Sequence, residues 1–237
     1  MAVENMNSML INPLKYKIII PARAGSKRIP FKNRVDFEGI PLIRHSIDYA
    51  KKFISHDSIY VNTDDVQIQK IASEAGVNIY QRPSSLGGDY ITTGEVLRNQ
   101  CELFEAQNVE YNNIILLQAT NPLRPKDLLL NGVSKFEKSG RNSLVTFSSF
   151  KRKFGKIHSN MFIPENYLLG QRSQELKPLY FENGLLYITK KDEILKGNII
   201  SGDCFPLVID HPFADIDIDE IIDLERAKNY LRLYKNE

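Results

Sequence analysis

Apolar residues gather along this chain in short β-branched or aliphatic runs at 17–21, 58–62, 77–80, 113–118, 143–148 and 185–189. Each run has strand length and is bounded by polar or turn-forming residues, which predicts buried strands. Between the runs the spacing becomes helical. Leu42, Ile43, Ile47, Ala50, Phe53 and Ile54 share one face of a helix over 41–54, and Val66, Ile71, Ala72 and Ala75 do so after Asp64. Val96, Leu97, Cys101 and Phe104 mark a third helix, with Thr92 or Thr93 followed by Glu95 as its start. Asp127 begins another after Pro125, and a last helix is expected over 220–234 with Ile221, Ile222, Ala227, Tyr230 and Leu231 inward. Strands alternating with helices predict an α/β fold of three layers: a largely parallel sheet with helices on both faces and right-handed crossovers. Ligands of such sheets bind beyond the C-terminal strand ends. That rim receives the loop after the first strand, Thr63-Asp64-Asp65 after the second and Gln118-Ala119-Thr120-Asn121 after the fourth.

One stretch breaks the rhythm. Residues 150–179 are rich in Lys, Ser, Asn and Gln and read as an irregular arm. The arm also carries Phe154, Ile157, Met161, Phe162, Ile163, Tyr167, Leu168 and Leu169, which a compact α/β domain cannot easily bury. A second copy would cover them, so a homodimer is expected. The division is an N-terminal extension over 1–15 and one domain over 16–237, with 150–179 as a dimerisation arm.

Composition narrows the function classes. The 237 residues carry a net charge of only +2, so no global field favours nucleic acid or an anionic membrane. Residues 1–15 hold an acidic Glu4 and a short apolar patch, unlike a signal peptide, and no apolar run is of membrane-spanning length. Cys101 and Cys204 fit neither a metal spacing nor a disulfide framework and are expected as reduced core residues of a cytoplasmic protein. The four histidines, His45, His56, His158 and His211, are scattered without metal spacing.

Charge is local instead. Arg23, Lys27, Arg28, Lys32 and Arg34 place five cations within twelve residues after the first strand, around Gly25 and Ser26. Backbone N–H groups near Gly25 and these cations suit a polyphosphate; a solvated basic loop is the plain alternative. Further on, Asp215, Asp217 and Asp219 alternate with Ile216 and Ile218. In extended chain the three carboxylates share a face, and a hard cation such as Mg²⁺ would relieve their repulsion. The alternative is an acidic approach to the last helix, favoured by its dipole.

The run Pro21-Ala22-Arg23-Ala24-Gly25-Ser26-Lys27-Arg28-Ile29-Pro30-Phe31-Lys32-Asn33 resembles the N-terminal signature of the acylneuraminate cytidylyltransferase (CMP-sialic acid synthetase) family. Similarity extends over nearly the whole chain from Ile18, through Arg82-Pro83 with Asp89, the stretch 116–124, Arg172-Ser173-Gln174-Glu175-Leu176, the stretch 180–188 and the pattern Asp217-Ile218-Asp219 before Asp223-Leu224. Ala24, Phe31, Ala119 and the single Arg172 depart from the usual pattern.

The resemblance implies a nucleotide-diphospho-sugar transferase-like fold. It also implies transfer of CMP from CTP to a nine-carbon 2-keto-3-deoxy sugar acid, N-acetylneuraminate or a close relative, with release of pyrophosphate. Pseudaminic, legionaminic and eight-carbon 3-deoxy-octulosonic acids are the alternative substrates. Lys27 and the Lys32-Asn33 pair favour a nine-carbon acid. A catalytically idle nucleotide-binding protein is the alternative of another class.

By resemblance Arg23, Ser26, Lys27 and Lys32 would hold the triphosphate, and Asn33 the ribose side. Arg82, Asp89 and Gln118 would form the nucleotide pocket. Lys156, Arg172, Gln174 and Asn183 would serve the sugar side, with Lys156 and Arg172 reaching across the dimer. Asp217 and Asp219 would hold Mg²⁺.

Overall fold

The computed structural model describes residues 10–234. Its strands are β1 (Tyr16–Pro21), β2 (Asp36–Phe37), β3 (Ile40–Pro41), β4 (Ile59–Thr63), β5 (Asn78–Gln81), β6 (Asn113–Leu116), β7 (Ser143–Phe150), β8 (Gly155–His158), β9 (Met161–Pro164), β10 (Leu179–Lys190) and β11 (Phe205–Val208). The helices are α1 (Leu42–Ala50), α2 (Val66–Glu74), α3 (Thr93–Ala106), α4 (Leu128–Ser139), α5 (Lys191–Leu195) and α6 (Ile221–Leu233).

Seven strands form the central sheet in the order β11-β7-β10-β6-β1-β4-β5, and β2–β3 and β8–β9 are separate hairpins. β1 pairs in parallel with β4 and β6, β4 with β5, and β7 with β11; β10 alone runs against its neighbours β6 and β7. Alternation on β1 explains the layers. Ile18 and Ile20 point into one core with Ile43 and Ile47 of α1, Ile68 and Ala72 of α2 and Leu129 of α4. Ile19 points the other way, into a second core with Leu97, Cys101 and Phe104 of α3 and Ile194 of α5. These are the three expected layers, with every β1 isoleucine fully buried.

A third cluster sits at the C-terminal rim. Ile29 of the basic loop, Phe37, Leu42 and Leu123 pack there with Phe213, Ile216, Ile218, Leu224 and Ala227. In α6 the inward residues are therefore Leu224 and Ala227. Ile221 and Ile222, expected inward, are 64% and 59% exposed, because the helix begins beyond the rim and packs by its middle. Val66 is likewise exposed at the first turn of α2.

The arm is more regular than its composition suggests. β8 and β9 pair antiparallel across Ser159 and Asn160, both at positive φ (49° and 61°), the conformation of a tight two-residue hairpin turn. The arm leaves at Phe150, the end of β7, and returns at Leu179, which pairs with Phe150. Of the N-terminal extension, residues 1–9 lie outside the described residues. The next few are tied to the core through buried Ile11, whose N–H donates to the Phe53 carbonyl at 2.7 Å. Cys101 is buried, Cys204 is partly buried, and both are free thiols. Among the described residues no helix is long and apolar enough to cross a membrane.

Candidate active site

The basic loop after β1 is fastened from below. Ala22 N–H donates to the Asn62 carbonyl (2.9 Å), Ala24 N–H to Asp64 Oδ1 (2.7 Å), and Asn33 Nδ2 to the Arg23 carbonyl (3.3 Å). Asp65 caps α2 by accepting from the Gln67 and Ile68 amides, and pairs with Arg34 at 3.1 Å. The acidic end of β4 thus anchors the loop. Gly25 has nothing within 4 Å of a would-be Cβ, so the loop crest stands clear.

Over this frame opens a cleft of about 520 Å³. Arg23, Ser26, Lys27, Lys32, Asn33, Arg82, Asp89 and Gln118, all expected from sequence, line it together, as do Gly25, Arg28 and Thr93. Its four loop cations are paired with carboxylates. Lys27 Nζ and Arg23 NH1 lie 2.6 and 2.9 Å from Asp89; Arg28 NH2 and Lys32 Nζ lie 2.7 and 2.9 Å from Asp219. The Lys27 hydrogen bond, joined by Arg23, holds the Asp89 carboxyl below its ordinary range. Thr92 does not face the ligand space: it closes a capping box with Glu95 at the start of α3, while Thr93 reaches the cleft. Arg82 is only 6% exposed. It donates to Asn62 rather than pairing with Asp64 or Asp65.

A second cleft of about 700 Å³ shares Gln118 and is lined by Asn183, Gly184, Asp215 and Asp217. Lys151, Arg152, Glu182, Tyr187 and Arg226 join them, none of them named as a site residue from sequence. Glu182 and Tyr187 fall in the stretch 180–188 that resembles the family's sugar-side pattern, and Lys151 and Arg152 open the basic run of the arm; Arg226 read as an ordinary helix position. The wall between the clefts is pinned by buried Asn121, whose Nδ2 donates to the Ile216 carbonyl (2.8 Å) and the Asn183 carbonyl (3.3 Å), and by Ile218 N–H donating to the Thr120 carbonyl (2.8 Å). Gly184, at φ +74°, is required here: a Cβ would lie 2.9 Å from both Asn121 Oδ1 and Gln118 Oε1. Buried Arg124 braces the same turn, donating to the Gln118 carbonyl (2.7 Å), Ser46 Oγ (3.0 Å) and the Leu185 carbonyl (2.9 Å).

The aspartate alternation survives without a strand. Asp215 ends a 3₁₀ turn, and the chain after it is extended, with Ile216 and Ile218 buried and Asp215 and Asp217 exposed. The two candidate metal ligands have opposite surroundings. Asp217 is pushed up in pKa first by desolvation from the atoms packed around its partly exposed side chain, with Asp219 and Asp223 adding repulsion against a Thr120 hydrogen bond and Lys32. Partial burial works against charge on Asp219, but Lys32 and then Arg28 overcome it and hold its carboxyl below the ordinary range. Among the described residues no group of three or more His, Cys, Asp or Glu is arranged to hold a metal. Asp217 lines the second cleft, and Asp219 has both oxygens held by cations of the first, Lys32 and Arg28. Two carboxylates have the hard-oxygen chemistry of the usual protein share of a Mg²⁺ site completed by phosphate oxygens.

Four expected residues line neither cleft of this chain: Asp219 meets the first only through its pairs with Arg28 and Lys32, and the other three lie on the arm. Lys156 sits on the arm hairpin, paired with Glu165 at 2.8 Å, and Arg172 and Gln174 are exposed around a 3₁₀ turn.

A family model of cytidylyltransferases matches residues 17–232. The chain belongs to the cytidylyltransferase family. It is a nucleotidyltransferase, as the family resemblance implied. It is 34% identical to a pseudaminic acid cytidylyltransferase of Campylobacter jejuni serotype O:2, over 91% of this chain and 95% of that one. It is 32% identical to an N-acylneuraminate cytidylyltransferase of Streptococcus agalactiae serotype V, over 75% of this chain and 44% of that one. Its fold is shared with a solved CMP:2-keto-3-deoxy-manno-octonic acid synthetase complexed with CTP (TM-score 0.66, 16% identity, 92% of this chain and 99% of that one).

Proposed function

We propose that this cytidylyltransferase couples CTP to a nine-carbon 2-keto-3-deoxy sugar acid, releasing pyrophosphate. The observation that carries the reading is the pair of clefts joined at Gln118, one rich in cations and one bounded by Asp217, Asn183 and Gly184. The first suits a nucleoside triphosphate and the second a polyhydroxylated acid. The named relatives support the sugar class, and pseudaminic acid is the first substrate to try, with N-acetylneuraminate, legionaminic acid and 3-deoxy-octulosonate beside it.

Reaction by this route needs positioning and charge neutralisation rather than a covalent intermediate. The sugar's anomeric hydroxyl would attack the α-phosphorus in line, and the bond to the β-phosphate oxygen would break. Arg23, Ser26, Lys27 and Lys32 would hold the triphosphate and steady the leaving pyrophosphate, with Asn33 beside the ribose. Arg82 and Gln118 would face the base. Asp89 would act as the resident counter-ion of Arg23 and Lys27, giving them up to phosphate. Asp217 and Asp219 would hold a Mg²⁺ ion, which supplies positive charge at the reacting phosphate.

A homodimer through the arm completes the reading. Ile157, Leu168 and Leu169 are 79%, 77% and 79% exposed on it, large apolar side chains that a partner would cover. Lys156, Arg172 and Gln174 would then enter the partner's second cleft. Pyrophosphate release from CTP and Mg²⁺ against the four sugar acids tests the function. One acid should be turned over far faster than the rest; tight CTP binding with no release from any would leave only an idle nucleotide-binding protein.

A further inference from the structure

Behind Arg82 lies a buried chain of amides. Asn62 on β4 and Gln100 on α3 are both 0% exposed. Asn62 Oδ1 accepts from Arg82 Nε at 2.7 Å, and the Asn62 carbonyl accepts from Arg82 NH2 at 3.1 Å. Asn62 Nδ2 in turn donates to Gln100 Oε1 at 2.9 Å. Gln100 Nε2 is buried and has no partner. Neither amide lines the cleft, whereas Arg82 does.

Fully buried amides cost stability unless their bonding is specific. This bracket has a definite effect. A guanidinium has five N–H donors. Two are spent on Asn62, which fixes the plane and leaves the NH1 edge for the cleft. A carboxylate in place of Asn62 would hold the same geometry while neutralising the charge; an amide holds it and leaves the cation whole. Burial lowers the Arg82 pKa and Arg23 adds to that, while Asp64 opposes it.

We propose that Asn62 and Gln100 are positioning residues that aim the free edge of Arg82 at the nucleobase and thereby set the preference for cytosine. The proposal rests on the reading that the first cleft takes the nucleotide with Arg82 at its base. Cytosine presents adjacent acceptors, O2 and N3, to a donor pair. Uracil presents a donor at N3 instead. A site built to donate there rejects the mismatched ring strongly, but only while its donors are held in place.

The test is the kinetics of Asn62→Leu with CTP and UTP. KM for CTP should rise about tenfold or more, the usual consequence of releasing a charged hydrogen-bonding group, with a much smaller change in kcat. The CTP-to-UTP ratio of kcat/KM should collapse by a similar factor. Asn62→Asp should restore most of the selectivity, because its carboxylate still accepts from Arg82 and Gln100 can turn to donate its partnerless Nε2. In an Arg82→Ala background, Asn62→Leu should add nothing further to KM. If Asn62→Leu does not fold, Asn62→Ser, too short to reach Arg82 Nε, and Gln100→Leu carry the same measurement. Unchanged selectivity in the folded Asn62 variants, with Arg82→Ala impaired, would overturn the positioning role. An Arg82→Ala enzyme with wild-type KM for CTP would instead overturn the reading of the cleft on which it rests.

Discussion

The two clefts share a rim and the residue Gln118, yet they are built on different principles. The first is complete within one chain: its loop is fastened to β4, its arginine is bracketed by amides, and its cations already hold carboxylates. The second is walled on one side by the pinned segment around Asp217 and on the other by the root of an arm whose apolar residues face water. The same contrast separates charge from shape. Exposed ion pairs such as Lys27–Asp89 are weak and exchange readily for a phosphate, so the first cleft is preformed and pre-neutralised. On the proposed reading, the second would be completed by a partner's arm.

The sharpest test of the comparison acts on the wall between the clefts. Asp217→Asn should cut turnover about a hundredfold or more, the scale expected when a transition-state charge stabiliser is lost, with little change in CTP binding. Near-normal turnover at saturating Mg²⁺ would move the metal elsewhere, with Asp215 the next position to test. Next comes the arm. Leu168→Asp together with Leu169→Asp should halve the mass seen by light scattering and raise KM for the sugar acid about tenfold, the loss of a charged contact or two, while KM for CTP stays put. A dimer that persists, or equal damage to both KM values, would erase the contrast between a self-sufficient and a shared cleft.

A smaller effect is expected at the counter-ion. Asp89→Asn should lower KM for CTP about threefold, because Arg23 and Lys27 no longer have a resident competitor of modest strength. A raised KM would mean that Asp89 contacts the substrate itself. The smallest effect is a pH signature in thermal melts. Asp217 has a raised pKa, so its ionised form opposes folding, and Asp217→Asn should be the more stable protein above that pKa, with the gain fading as pH falls through it. Asp219 has a lowered pKa, so its ionised form favours folding. Asp219→Asn should lose stability at neutral pH, and the difference should vanish as pH falls through the native pKa of Asp219. Parallel shifts of both variants would show that the two carboxylates do not differ in surroundings.

How much of this was legible in the sequence follows the same division. β1 and β6 announced themselves because they are buried on both faces and read as unbroken apolar runs. The loop cations, Thr92 with Glu95, and the alternating aspartates are local patterns with local causes. The arm hairpin was hidden because β8 and β9 bury no face, so no periodicity marks them; the Ser159-Asn160 turn was the one available signal. β11 was masked by Pro206, which an edge strand tolerates. Asn62 and Gln100 were illegible for a different reason. Each occupies an ordinary position in a strand or helix, and only the fold brings them together behind Arg82.

The lone antiparallel strand has a consequence for how this enzyme can change. Because β7 climbs to the ligand rim and β10 descends from it, everything between Phe150 and Leu179 is a loop hung on the active edge of the sheet. Had β10 run parallel, the same segment would have had to cross back to the far edge. Lengthening or replacing a loop of this kind costs little in chain closure and leaves the register of the seven core strands untouched. The arm is thus an exchangeable cassette in the structural sense: one hairpin can be lengthened or replaced while the sheet that carries the basic loop keeps its register.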